Sequence, residues 1–291
     1  MNCRPMLHKQ ASNGSVIMKT VKVFIILMLF TASPAFADQS GLVEEWSILF
    51  PSFQYFTWEE FKPDGPRILK EEGLLVGAGG GARLDLYDKK LMLKLKGELF
   101  GGDVHYNGHT QPNSNPAFNE RPTKTDVIYF GTKVESDLGW RAPIGSVSIE
   151  PFAGLGYRWW LRALQETTAS RADNGNLFPV EGATEYWMSF YSRLGARAAW
   201  SFTKGFTLFA EGGGKYPFYN ENRADLSGGG TVSIKPGSEW SAFGEIGLTY
   251  KRFRPTLYYE GFRFSQSHVA EGVFQPKSDS DILGINLNWV Y

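Results

Sequence analysis

Along most of this chain apolar and polar residues alternate one by one, and the alternation is broken at intervals by polar, turn-rich stretches. Successive side chains of a strand point to opposite faces, so each alternating segment predicts a strand with one apolar face. The last segment, Ser280 to Tyr291, shows the pattern most cleanly. Leu283, Ile285, Leu287, Trp289 and Tyr291 fall on one face, and Gly284, Asn286, Asn288 and Val290 on the other. A second segment, Leu74 to Leu86, sets Leu74, Val76, Ala78, Ala82, Leu84 and Leu86 against Gly77, Gly79, Gly81, Arg83 and Asp85. The same reading predicts strands over 91–99, 126–135, 147–162, 188–200, 206–216, 240–250 and 256–260. A first strand is expected around 47–58, weakened by Pro51, which donates no ladder hydrogen bond.

That makes ten strands, joined alternately by long polar loops (107–124, 164–184, 220–238, 265–279) and short turns such as Asp88-Lys89-Lys90 and Thr203-Lys204-Gly205. An even count with alternating connection lengths fits an antiparallel up-and-down transmembrane β-barrel, all-β, with long loops outside and tight turns in the periplasm. Eight or twelve strands stand as alternatives, because strand one and the segment Thr231 to Ile234 are ambiguous. Tyr157, Trp159, Tyr186, Trp200, Phe206, Trp240, Phe253, Trp289 and Tyr291 would lie in the two interfacial girdles. A soluble barrel of lipocalin type also alternates, with its apolar face turned inward. Long strands and a second face rich in glycine and charges of both signs favour lipid outside.

Near the front, Lys19 and Lys22 precede an apolar run, Val23 to Phe30, followed by Ala35-Phe36-Ala37, the layout of a secretory signal peptide with an A-x-A cleavage site. The expectation is therefore a signal peptide over 1–37, with Met18 as a candidate start, and a single barrel domain over 38–291. The run is too short for a spanning helix. Thirty Lys and Arg balance thirty Asp and Glu, which argues against nucleic acid as a partner. The one cysteine, Cys3, precedes the cleavage site, so no thiol or disulfide chemistry is expected of the mature chain.

A final strand that ends on an aromatic residue at the chain terminus, behind an export signal, resembles the closing strand of bacterial outer-membrane β-barrel proteins. The resemblance implies an outer-membrane location and contact with outer-membrane lipid. It also implies a monomer whose terminal segment (Leu283, Ile285, Leu287, Trp289, Tyr291) is read by the barrel assembly machinery.

Ten strands about 4.8 Å apart, tilted by roughly 40°, enclose a cylinder about 20 Å across, narrow enough for side chains from opposite walls to meet. The predicted inward face carries Arg83, Lys94, Lys96, Glu98, Lys133, Glu150, Arg158, Arg193, Arg197, Glu211, Glu245 and Glu260. Buried charges persist when paired or hydrated. An acidic wall on strands seven to nine (Glu211, Glu245, Glu260) is expected to face a basic wall on strands two, three, four and six (Arg83, Lys96, Lys133, Arg197). The function that follows is a structural or narrow-channel, porin-like element. The alternative is a surface-binding, adhesin-like scaffold whose outer loops take an extracellular ligand, since binding residues concentrate on loops held by a rigid scaffold.

Catalytic chemistry has thinner support. Asp103-Val104-His105 resembles the Asp-x-His element of the omptin proteases, yet no partner acidic pair accompanies it, Asp85 lying near the opposite turn. Ser265, Ser267 and His268 share the last outer loop, where a Ser–His pair would be a nucleophile and its base. His105 and His109 have metal-ligand spacing only on a helix, and this stretch reads as strand. Neither a catalytic residue nor a cofactor or metal is assigned.

Overall fold

The computed structural model describes residues 43–63, 65–110, 115–226, 230–270 and 272–291; the expected signal peptide lies outside them. In chain order the strands are β1 (Val43–Phe61), β2 (Arg67–Tyr87), β3 (Leu91–His109), β4 (Pro122–Trp140), β5 (Ala142–Ile144), β6 (Val147–Leu164), β7 (Thr167–Ser170), β8 (Leu177–Val180), β9 (Ala183–Thr203), β10 (Phe206–Leu226), β11 (Gly230–Ile234), β12 (Ser241–Tyr250), β13 (Phe253–Phe264) and β14 (Lys277–Trp289). Ten of these, namely β1 to β4, β6, β9, β10 and β12 to β14, pair antiparallel with their neighbours around a ring. The ring closes where β14 meets β1, with Ser52 opposite Asn286 and Phe61 opposite Lys277, and β1 continues to β2. Closure leaves no open edge, which a hydrocarbon environment would not tolerate.

The ambiguous segment Thr231 to Ile234 is β11. It pairs with β10 at Asn222↔Ile234 and Leu226↔Gly230, in line with the β10–β12 register of Lys215↔Ser241. β11 therefore fills the upper part of the position in the wall that β12 fills below. β5 belongs to the β4–β6 turn, and β7 and β8 form a small hairpin in the loop between β6 and β9.

Most strands are longer than the alternation predicts, and the largest extensions are at the long-loop end. β2 begins at Arg67 rather than Leu74, β3 runs to His109, β9 begins at Ala183 and β10 runs to Leu226. The reason is an inversion of the pattern. Within the belt of outward apolar residues (Leu74, Val76, Leu138, Leu155, Leu194, Ile246, Leu283 and Ile285 among them) the outside is greasy and the inside polar. Above the belt the outward residues are polar, such as Glu59, Lys70, His105 and Asp126, while the inward ones are Trp58, Val104, Tyr106 and Trp187. Through that inversion the sequence looks like loop, but the ladder continues. Pro51 is accommodated in β1 as an exposed residue opposite Ala78, next to a bulge where Leu49 has φ of 52°.

At the short-turn end Asp88 and Lys89 take φ of 46° and 54°, and the Asp85 carboxylate accepts from the Lys89 backbone N–H at 2.9 Å. Asp85 thus caps a turn. Trp140, Trp200, Phe202, Tyr250, Phe253, Trp289 and Tyr291 ring this lower edge of the belt, each 40–60% exposed as a membrane-interface girdle requires.

Candidate functional site

The interior is the place where the sequence put its chemistry, and it is filled in layers. Inward aromatic rings lie flat over glycines of the adjacent strand, Tyr191 over Gly156, Phe152 over Gly195 and Tyr258 over Gly284, positions where a Cβ would collide with the ring. Glycine on the inner face is what lets so narrow a cylinder hold so many rings.

The middle layer is ionic, and its bridges cross the lumen. Lys133 of β4 reaches Glu260 of β13 at 2.8 Å, and these strands are five places apart in the ten-strand ring. Lys96 of β3 approaches Glu245 of β12 at 3.5 Å, and Lys94 of β3 bonds Glu211 of β10 at 2.7 Å. Glu260 also takes Lys215 at 2.7 Å and lies 3.9 Å from Arg158, while Glu98 accepts from Gln54 at 2.5 Å and faces Lys133 at 3.6 Å. Arg193 binds Glu135 at 2.7 Å and Glu211 at 2.9 Å; Arg197 binds Glu211 at 2.6 Å, Glu150 at 2.7 Å and Asp137; Arg83 pairs with Glu150. All twelve residues of the predicted inner set thus lie in this ionic layer, in three groups: one around Glu150 and Glu211, one around Glu260, and the Lys96–Glu245 pair. Two clean walls do not form. Acids on β4 and β6 (Glu135, Asp137, Glu150) stand among the cations, and Lys215 of β10 stands in the expected acidic wall, because each buried charge also needs a partner on the strand beside it.

Above the ions comes an aromatic layer. Trp58, Trp160, Trp187 and Phe264 are buried and mutually in contact, with Trp160 and Trp187 stacked at 5.3 Å and Trp58 edge-on to Trp187 at 5.0 Å. Phe56, Phe100, Tyr129, Tyr191 and Phe262 complete the cluster, and Arg158 bridges the two layers with its guanidinium 4.6 Å from the Phe100 ring and 5.0 Å from Phe262. The rings come from β1, β3, β4, β6, β9 and β13, six of the ten barrel strands.

Above the rings, beyond the belt, Arg162 is held by Glu71 and by Glu185 at 2.7 Å, with Glu60 at 3.9 Å. Indole N–H groups of Trp58 and Trp187 donate to Glu60 and Glu185 at 2.9 and 2.8 Å, and the Tyr129 hydroxyl donates to Glu71. Burial pushes the Glu60 carboxyl above its ordinary pKa against the pull of Arg162. This cluster escaped sequence reasoning because Glu60 and Glu71 lie in the inverted stretch; the inward series Phe56, Trp58, Glu60 is the signal that marks it.

The candidate catalytic residues are dispersed. His105 points outward, its Nδ1 2.8 Å from Asp126 Oδ1 with both side chains largely exposed, and Val104 is what points inward. Asp-x-His places both polar residues on one face of a strand, and here that face is the outer one. Ser267 Oγ donates to the His268 carbonyl oxygen at 2.8 Å and accepts from the Gln275 N–H, so the pair is not arranged as nucleophile and base. The terminal residues Leu283, Ile285, Trp289 and Tyr291 are all outward, 47–58% exposed, with Leu287 on the same face of the closing strand.

No curated protein matches this chain. Among solved structures, the outer membrane protease OmpT from Escherichia coli superposes with a TM-score of 0.53 at 9% identity, over 87% of this chain and 98% of that one. Similarity also extends to the translocator domain of autotransporter NalP from Neisseria meningitidis (TM-score 0.37, 10% identity, 93% and 97% covered). An outer membrane channel from Pseudomonas putida F1 is similar at TM-score 0.36 and 9% identity, with 87% and 98% covered. At such identities the first of these speaks for the fold alone. The model of the autotransporter beta-domain matches residues 99–258, more than half of the sequence. This chain is an outer-membrane β-barrel and belongs to the autotransporter beta-domain family.

Proposed function

We propose that this protein is a closed outer-membrane barrel that works through its extracellular end, as a surface-binding scaffold, rather than by passing solutes along its lumen. The observation that carries the reading is the aromatic layer around Trp58, Trp160, Trp187 and Phe264 stacked on the paired charges below it. A hydrated ion would have to part buried rings and then compete for carboxylates already held by lysine and arginine. A polypeptide would need both layers dismantled.

The outer end is built to present a fixed surface. Barrel strands such as β2, β3, β9 and β10 rise beyond the apolar belt, and two of the loops at this end are locked together. Phe118 stands edge-on to Phe178 at 4.8 Å, Arg121 Nε donates to the Ser170 carbonyl at 2.8 Å, and the Ala172 N–H donates to the Ala117 carbonyl at 2.9 Å. Ordered loops on a rigid scaffold bind without a large ordering cost. The test is attachment of cells displaying the protein to a panel of extracellular matrices and glycans, with the wild type compared to a variant lacking 167–180. Loss of attachment with the barrel still folded supports the reading; equal attachment, or none above empty cells, opposes it. Recognition of the terminal strand by the assembly machinery and a monomeric state are part of the same proposal.

A further inference from the structure

The described residues leave the short-turn end of the lumen unfilled. A cavity of about 450 Å³ opens there, bounded above by the ionic layer. Its lining carries six cations, Arg83, Lys94, Lys96, Arg141, Arg197 and Arg254, against four carboxylates, Glu45, Glu150, Glu211 and Glu245. The extracellular cluster has the opposite balance, one arginine among three glutamates. The interior is thus polarised along its axis, positive toward the periplasm.

We propose that this vestibule binds a small oxyanion, a phosphate or carboxylate group, entering from the periplasmic side. The excess of two positive charges lies in a cul-de-sac with low-dielectric walls, which focuses the field on any anion at the mouth. Most of the cations are committed. Arg254 holds Glu45 through two bonds of 2.6 and 2.7 Å, and Arg197 reaches three carboxylates. The lysines are different. An ammonium has three donors; Lys94 uses one on Glu211 at 2.7 Å, while Lys96 makes a long 3.5 Å contact to Glu245 and lies 5.3 and 5.6 Å from the Phe50 and Tyr258 rings. Both retain side-chain exposure, 25% and 15%, where the deeper Lys133 and Lys215 have 8% and none. Ser148, Ser201, Thr207 and Thr249 add neutral donors around the rim. An anion seated between Lys94 and Lys96 gains two charge-assisted bonds without breaking the existing pairs. The volume exceeds that of a bare phosphate, so the oxyanion can be free or the terminal group of a peptide.

The test uses the full-length mature protein in detergent micelles, titrated at fixed ionic strength with inorganic phosphate and, separately, with a short acetylated peptide bearing a free C-terminal carboxylate. Binding is read by calorimetry. Saturable binding of either probe is expected, and the probe that saturates identifies the source of the group. Lys96→Gln removes one donor and one charge and should weaken binding about tenfold. Glu245→Gln raises the positive excess by one and should strengthen it several-fold. Opposite responses of these two variants cannot come from a general loss of folding, which would weaken both. The proposal is overturned if neither probe saturates the wild type, or if the two variants shift affinity in the same direction or not at all.

Discussion

Lys133 on β4 and Glu260 on β13 meet across the middle of the barrel, Nζ to Oε2 at 2.8 Å, although they stand 127 positions apart in the chain. Glu260 answers Lys215 and Arg158 as well, so one carboxylate is shared by three cations. Removing one member of a buried ionic group leaves uncompensated charge, at a cost of about 3–5 kcal/mol, although the intact group adds little over apolar packing. Glu260→Gln should therefore lower stability by that amount in urea titrations followed by tryptophan fluorescence. A loss below about 1 kcal/mol would mean that the charges are hydrated rather than held by each other.

The lipid-facing assignment has its own test. Ile285 stands near the middle of the belt on the closing strand and is 47% exposed. Arginine on the lipid face near the bilayer midplane costs about 2–4 kcal/mol, so Ile285→Arg should destabilise the protein in liposomes by this amount. An unchanged unfolding midpoint would mean that this face looks at water.

Ring-on-glycine packing predicts sensitivity where conservative substitution would otherwise be harmless. A Cβ at Gly156 would run into the ring of Tyr191, whose hydroxyl donates to Glu135 at 2.9 Å. Gly156→Ala should cost about 1–3 kcal/mol, as overpacking does. The refolding yield and the urea midpoint report it, and a neutral result would show that the ring has room to move.

Glu60 gives a pH dependence with a definite sign. Burial holds its carboxyl above the ordinary 4.5, with Arg162 opposing and Glu185 and Glu71 adding to the rise. The folded chain therefore keeps this proton where the unfolded chain has lost it. The penalty is absent below the unfolded value, grows as pH climbs from there through the folded value, and is complete above it. Glu60→Gln should be more stable than the wild type at neutral pH, with the difference shrinking as the solution is acidified toward the carboxylate range. A variant that is less stable than the wild type at neutral pH would show that Glu60 is needed as an anion by Arg162.

Much of this was legible in the sequence because a barrel wall obeys one rule within the bilayer. Leu283 to Tyr291 could be assigned to lipid, and Lys94, Lys133 and Glu260 to the lumen, from alternation alone. The rule fails where the solvent changes. Above the belt water lies outside, so His105 and Lys70 face outward while Trp58 and Trp187 turn in, and a segment that is regular in space reads as irregular in sequence. Partner choice was less legible. Lys96 meeting Glu245 follows from the closure of the ring and the tilt of its strands, which no local window contains, and the mixed signs on β4 (Lys133, Glu135) and β10 (Glu211, Lys215) break any simple picture of facing walls.

Current across a planar bilayer holding the purified barrel is the most direct test of a sealed interior. With the interior sealed, the wild type is silent at moderate voltage, and Trp160→Gly combined with Trp187→Gly, which removes the stacked pair, introduces discrete openings. Steady, ion-selective openings in the unaltered protein would contradict it.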